Sequence, residues 1–115
     1  MSSETTNRNW RVNLISHTHW DRAWYVTFQE FRMRLVQLID RLLDILENDP
    51  DYSYYMLDGQ MSVLDDYLEV RPQRKAELQK LTRSGRVQVG PWFVLADEFL
   101  VSPESLIRNL MLGHR

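Results

Sequence analysis

An α/β fold, a parallel sheet with crossover helices, is what this 115-residue sequence predicts. Three observations carry that expectation. Short apolar runs at residues 10–16, 54–57 and 87–89 read as strands. Long stretches between and after them carry helical periodicity, with apolar residues three and four apart. Their order, strand, helix, strand, helices, strand, helix, calls for parallel pairing through right-handed crossovers.

Each element has its own signals. Residues 1–9 are polar and read as a disordered tail, and residues 10–115 as one folded unit. Val12, Leu14 and Ile15 suit a first strand buried on both faces. Thr27-Phe28-Gln29-Glu30 fits a capping box, with Thr27 as N-cap and Glu30 reaching back from the third helical position. The helix it opens should reach about Asn48, with Phe28, Phe31, Leu35, Leu38, Leu42, Ile45 and Leu46 as its buried stripe. Asn48-Asp49-Pro50-Asp51 stops it.

The second strand, 54–57, closes on Asp58-Gly59, and a helix over about 61–70 follows. Pro72 stands well at a first helical position and opens another helix ending near Ser84-Gly85. The third strand, 87–89, runs into Gly90-Pro91-Trp92. Ser102 caps a last helix, with Pro103 at its first position and Glu104 near the positive end of its dipole.

Composition narrows the function. A formal charge of −2 with no dense basic block argues against a nucleic-acid or membrane-surface binder. The absence of cysteine excludes disulfides and thiolate metal sites, and agrees with a reducing compartment. No run is long and apolar enough for a membrane span, and the first nine residues do not read as a signal peptide, so a cytoplasmic protein is expected.

The chemistry gathers where the first strand ends. His17, His19 and Asp21 alternate, and on an extended chain residues two apart share a face. Two imidazoles and a carboxylate make a first shell for a divalent ion, zinc above all. A bare His-x-His is often a surface or capping pair; Asp21 and the position just past a strand strengthen the metal reading. Alternation alone does not choose between His17 and His19. Asp58 and Asp97 follow the other strands at the same end of the sheet, placed near the same site and within reach of metal ligands. Either could instead be a turn or loop-fixing residue. Arg108 and Asp65-Asp66 read as solvated helix charges.

His17-Thr18-His19-Trp20-Asp21-Arg22-Ala23-Trp24 resembles the amino-terminal signature of the family 38 glycoside hydrolases, the retaining α-mannosidases, and most of all their bacterial branch with its mannosylglycerate hydrolases. Leu57-Asp58-Gly59-Gln60, Gly90-Pro91-Trp92-Phe93 with Asp97-Glu98-Phe99, and Glu104 to Leu110 resemble that family in the same order. Ala23 and Ala96 depart from it, where a Glu and a Pro are expected.

The resemblance implies a zinc-dependent α-mannosidase acting on terminal α-mannosyl residues. His19 and Asp21 would be the metal ligands and Trp24 the floor under a mannose ring, with Asp58 and Asp97 near the substrate. His17 is expected as a buried histidine hydrogen-bonded at the base of the site. The nucleophile, the acid/base and a further histidine ligand are expected beyond Arg115. The chain would then be the first part of a seven-stranded (β/α) barrel-like domain, inactive alone, with an open sheet edge that invites a homo-oligomer. Two other classes fit the residues less fully: a metal-dependent amidase or deacetylase, and a non-catalytic module binding carbohydrate or a partner through Trp20 and Trp24.

Overall fold

A computed structural model describes residues 9–115; the expected tail falls outside them except for Asn9. Helix α1 spans Phe28–Asn48, strand β1 Tyr55–Met56, helix α2 Ser62–Val70, helix α3 Lys75–Arg83, strand β2 Val87–Gln88 and helix α4 Pro103–Gly113. The helix expected from Pro72 begins as a 3-10 turn, Pro72–Arg74, that leads into α3.

The α1 capping box forms as its sequence requires. The Thr27 hydroxyl accepts from the Glu30 N–H, and the Glu30 carboxylate accepts from the Thr27 N–H at 2.9 Å. Past Asn48, the Asp49 carboxylate accepts from the backbone of Asp51 and Tyr52 and reverses the chain. Arg86 then ties this end to β2, donating to the carbonyls of Leu46 and Tyr52 at 2.8 and 2.9 Å. A cation there complements both the unpaired carbonyls and the negative end of the helix.

The core lies between α1, α2, α3 and the strands. Leu35, Ile39, Leu43 and Leu46 of α1 meet Leu57, Val63, Tyr67, Leu78 and Val87, all at 2% exposure or less. The buried stripe of α1 is rotated from the expected one. It takes in Val36, Ile39 and Leu43, while Ile45 is exposed and Phe28 and Leu38 only half-buried. The Tyr67 hydroxyl donates to Asp40 at 2.6 Å, and burial, reinforced by that carboxylate, pushes its pKa up.

Strands β1 and β2 pair in parallel, Tyr55 with Val87 and Met56 with Gln88. On the other side of β1, Met56 donates to Ser16 at 3.0 Å and accepts from Thr18 at 3.2 Å. This single parallel bridge at His17 is all that forms of the expected first strand. Val12 and Leu14, expected to be buried on both faces, are 83% and 91% exposed. The physical reason is local: β1 is two residues long, so it offers one pairing position, and no described element covers either face of 10–15. The pairing is nonetheless parallel as expected, with β1 between the His17 bridge and β2.

Past β1 the chain turns through Asp58 and Gly59, both left-handed at φ 40° and 64°, before pairing resumes between Gln60 and Trp92. An Asp tolerates that conformation better than most side chains. Because all three segments run parallel, residues 18–24, 58–60 and 92–97 gather at one edge, beyond the carboxyl ends. Helix α4 closes onto the third of these. A Cβ on Gly113 would stand 2.6 Å from the Trp92 carbonyl carbon and 2.7 Å from the Phe93 nitrogen, so only glycine permits the approach.

Candidate functional site

The three carboxyl-end segments enclose a cleft of about 560 Å³, lined by His19, Asp21, Arg22, Trp24, Gln60 and Asp97 among others. Residues from three distant parts of the chain thus share one space. At its centre, His19 Nε2 lies 3.8 Å from Asp21 Oδ1. Two ligands at the usual zinc distances of about 2.0–2.2 Å on a tetrahedral ion stand roughly 3.4 Å apart. The pair fits one ion with a small closure. Among the described residues no third His, Cys, Asp or Glu joins them in a metal-holding group, so the chain offers part of a coordination shell.

Asp58 stands behind this pair. Its Oδ2 accepts from the Trp20 backbone N–H at 2.6 Å and from Gln60 Nε2 at 2.8 Å, and its Oδ1 lies 3.3 Å from His19 Nδ1. A carboxylate at the second imidazole nitrogen leaves Nε2 for the metal side and orients the ring. Its side chain is 9% exposed and does not line the cleft. Of the two expected places for Asp58, beside sugar hydroxyls or beside metal ligands, this geometry is the second, next to the candidate ligand His19.

Gln60, noted in the sequence only as the last residue of the Leu57–Gln60 motif, is 3% exposed. It donates to the Trp20 carbonyl at 2.7 Å and accepts from Leu95 N–H at 3.4 Å, joining the first and third segments. Asn109 on α4 does similar work for the third. Its side chain accepts from the N–H of Phe93 and Val94 at 3.0 and 2.9 Å and donates to the Val94 carbonyl at 2.6 Å. That strand-like clamp holds the start of the 93–97 loop bearing Asp97. A polar residue next to a turn motif was the available signal for Gln60; Asn109 showed none outside the family resemblance.

Trp24 is 74% exposed and lines the cleft. Asp97 is exposed and lines the same cleft. His17 departs from expectation. It is exposed, its Nδ1 lies 3.0 Å from the Thr18 carbonyl, and it is not among the cleft residues. Its backbone takes up the bridge to Met56, and no described element covers the imidazole.

Asp66 is the other departure. Expected as a solvated helix charge, it is 6% exposed and receives a two-pronged bond from Arg22, Nε and Nη2 each at 2.7 Å. That hydrogen bonding raises the Arg22 pKa above its ordinary value. Arg108 behaves as expected, pairing on the surface with Glu104 one turn back.

Comparison with known proteins agrees with the residues. Residues 9–115 match the family described as glycosyl hydrolases family 38 N-terminal domain. A Halalkalibacterium halodurans protein named "Putative mannosylglycerate hydrolase" is 46% identical over 102 residues, covering 89% of this chain and 11% of its own. Alpha-mannosidase 2 of Spodoptera frugiperda is 27% identical over 116 residues, covering 97% of this chain and 10% of its own. The crystal structure of an alpha-mannosidase from Enterococcus faecalis V583 superimposes with a TM-score of 0.84 at 48% identity, over 87% of this chain and 11% of that one. The chain thus spans about a tenth of the length of the relatives it matches. With its His-x-His-x-Asp loop at the sheet edge and this match along all described residues, the chain belongs to the N-terminal domain family of the family 38 glycosyl hydrolases.

Proposed function

We propose that this chain is the zinc-loop portion of a retaining α-mannosidase. It would form the first strands and helices of a seven-stranded (β/α) barrel-like catalytic domain. The observation that carries the reading is the facing of His19 Nε2 and Asp21 Oδ1 at 3.8 Å, with Asp58 at the other nitrogen of the same imidazole. A neutral imidazole and a carboxylate are the donor types zinc takes when thiolates are absent. Bound there, zinc would act as a Lewis acid holding adjacent sugar hydroxyls.

The residues of this chain would do the rest of the binding. Trp24 offers its open face to the apolar side of a pyranose ring, and Asp97 accepts hydroxyl hydrogens in the same cleft. Gln60 and Asp58 keep the imidazole and the loop in register. A retaining glycosidase needs two carboxylates about 5–5.5 Å apart, one as nucleophile and one as acid/base. We assign neither to these residues and place both in the remainder of the domain, with the ligands that complete the zinc shell. The names of the similar proteins favour α-mannosides over the amide substrates of a deacetylase. A cysteine-free sequence supports a reducing compartment such as the cytoplasm, and no described helix is long and apolar enough to cross a membrane.

The test is Asp21→Asn in the full-length enzyme. Loss of the anionic ligand should abolish aryl α-mannoside hydrolysis and lower zinc content together. Normal turnover with full zinc occupancy would reject the site.

A further inference from the structure

The segment between Asp21 and Thr27 carries both Asp21 and Trp24, yet it has no regular structure. The backbone bond within it, from Trp24 N–H to the Val26 carbonyl, is long at 3.4 Å. Its outer residues are exposed, Trp24 at 74% and Tyr25 at 72%, so apolar burial does little to hold it. A ligand on such a loop would wander relative to His19 unless something else fixed it.

Tyr25 sets its ring edge-on to Phe31 at 5.3 Å, and nearer the ligand the structure supplies two further anchors, one on each side of Asp21. On one side, Trp20 gives its N–H to Asp58 at 2.6 Å and sets its ring edge-on to Phe31 at 6.0 Å. On the other, Arg22 forks onto Asp66 with two bonds of 2.7 Å, its guanidinium 5.1 Å over the Phe28 ring. Asp66 belongs to α2, whose Val63 and Tyr67 are 1% and 0% exposed, so this anchor is set in the rigid core. A planar fork on a carboxylate fixes direction as well as distance, which a lysine cannot do.

We propose that Arg22 and Asp66 form a positioning pair for the metal loop, holding Asp21 against His19 and so governing how long zinc is retained, with neither residue a ligand. This rests on the reading of His19 and Asp21 as zinc ligands. Asp66 does not reach the cleft, and Arg22 turns its charge inward to it. Arg22 lines the cleft, but with Nε and Nη2 committed to Asp66 it bears on the ligand pair through its neighbour Asp21.

The full-length enzyme loaded with zinc tests it, as wild type, Arg22→Lys, Asp66→Asn and an Asp21→Asn control. Release of zinc to a chelator is followed with thermal unfolding, then kcat and KM at saturating zinc. Arg22→Lys and Asp66→Asn should each release zinc on the order of tenfold faster, the lower end of what partners behind a metal ligand contribute. Saturating zinc should restore kcat, because the fault is in retention. Should Asp66→Asn fail to accumulate as folded protein, Arg22→Lys, which keeps the charge and the stem, carries the test alone. Wild-type release in the folded variants, beside a control that loses zinc, would overturn the proposal. So would a kcat that stays low at full occupancy, which marks general damage. A control that keeps its zinc would instead overturn the ligand assignment itself.

Discussion

Two regions of this molecule are stabilised by different physics. The helical body, α1 to α3 with β1 and β2, is held by aliphatic side chains with almost no exposure: Leu35 at 1%, Ile39 and Leu43 at 0%. The edge beyond the strands is rich in aromatics, but Trp24 at 74% and Phe99 at 98% lie open. Polar anchors hold it instead: Asp58, Gln60, Asn109 and the Arg22–Asp66 fork. Apolar packing is non-directional and makes a rigid body. Hydrogen bonds are weaker in net but aim particular atoms, which is what a site needs.

If that division is right, substitutions in the body should act on stability and those at the edge on binding. The largest expected effect is Leu43→Ala, which leaves a cavity and should cost about 2–5 kcal/mol in urea unfolding of the 115-residue chain. A loss under about 1 kcal/mol would show the body to be loosely packed. Next is Asp58→Asn in the full-length enzyme. A changed partner behind His19 should lower zinc affinity by about 10–100-fold, roughly 1.4–2.7 kcal/mol by chelator competition.

Trp24→Ala sharpens the comparison most directly. It should weaken substrate binding by about 1–3 kcal/mol and shift unfolding by no more than about 0.5 kcal/mol. An unfolded or zinc-free variant would return Trp24 to the core.

The smallest effect belongs to the α1 cap. Thr27→Ala should cost about 1 kcal/mol in urea unfolding at neutral pH. The capping hydrogen bonds from Thr27 hold the Glu30 carboxyl below its ordinary range. A lowered folded pKa gives stability that is present above the unfolded value, about 4.3, and is lost as pH falls through the folded value. The gap between wild type and Thr27→Ala should therefore narrow in acid, as paired urea titrations at pH 7 and pH 3 would read. A gap that stays constant would mean the Thr27 hydroxyl adds nothing to the hold on Glu30, since both proteins keep the bond from the backbone N–H of residue 27.

Local signals determined a good deal of this protein. Thr27 and Glu30 specified the start of α1, Asp49-Pro50 its end, and Ser102-Pro103 the start of α4, because capping chemistry acts within four residues. The alternation of His19 and Asp21 brought two donors together for the same reason. Residues 10–16 pair only through the bridge at His17, because apolar side chains report a wish for burial and whether a neighbour exists to grant it is a tertiary matter. His17, whose buried place the family resemblance implied, is likewise exposed among the described residues.

Only the tertiary structure turned Asp66 inward to Arg22, 44 positions away, and set Asp58 behind His19 across 39. A carboxylate on a helix looks the same in sequence whether it faces water or a guanidinium. What decides is which segment the fold brings opposite, and here parallel strands brought three distant carboxyl ends to one edge.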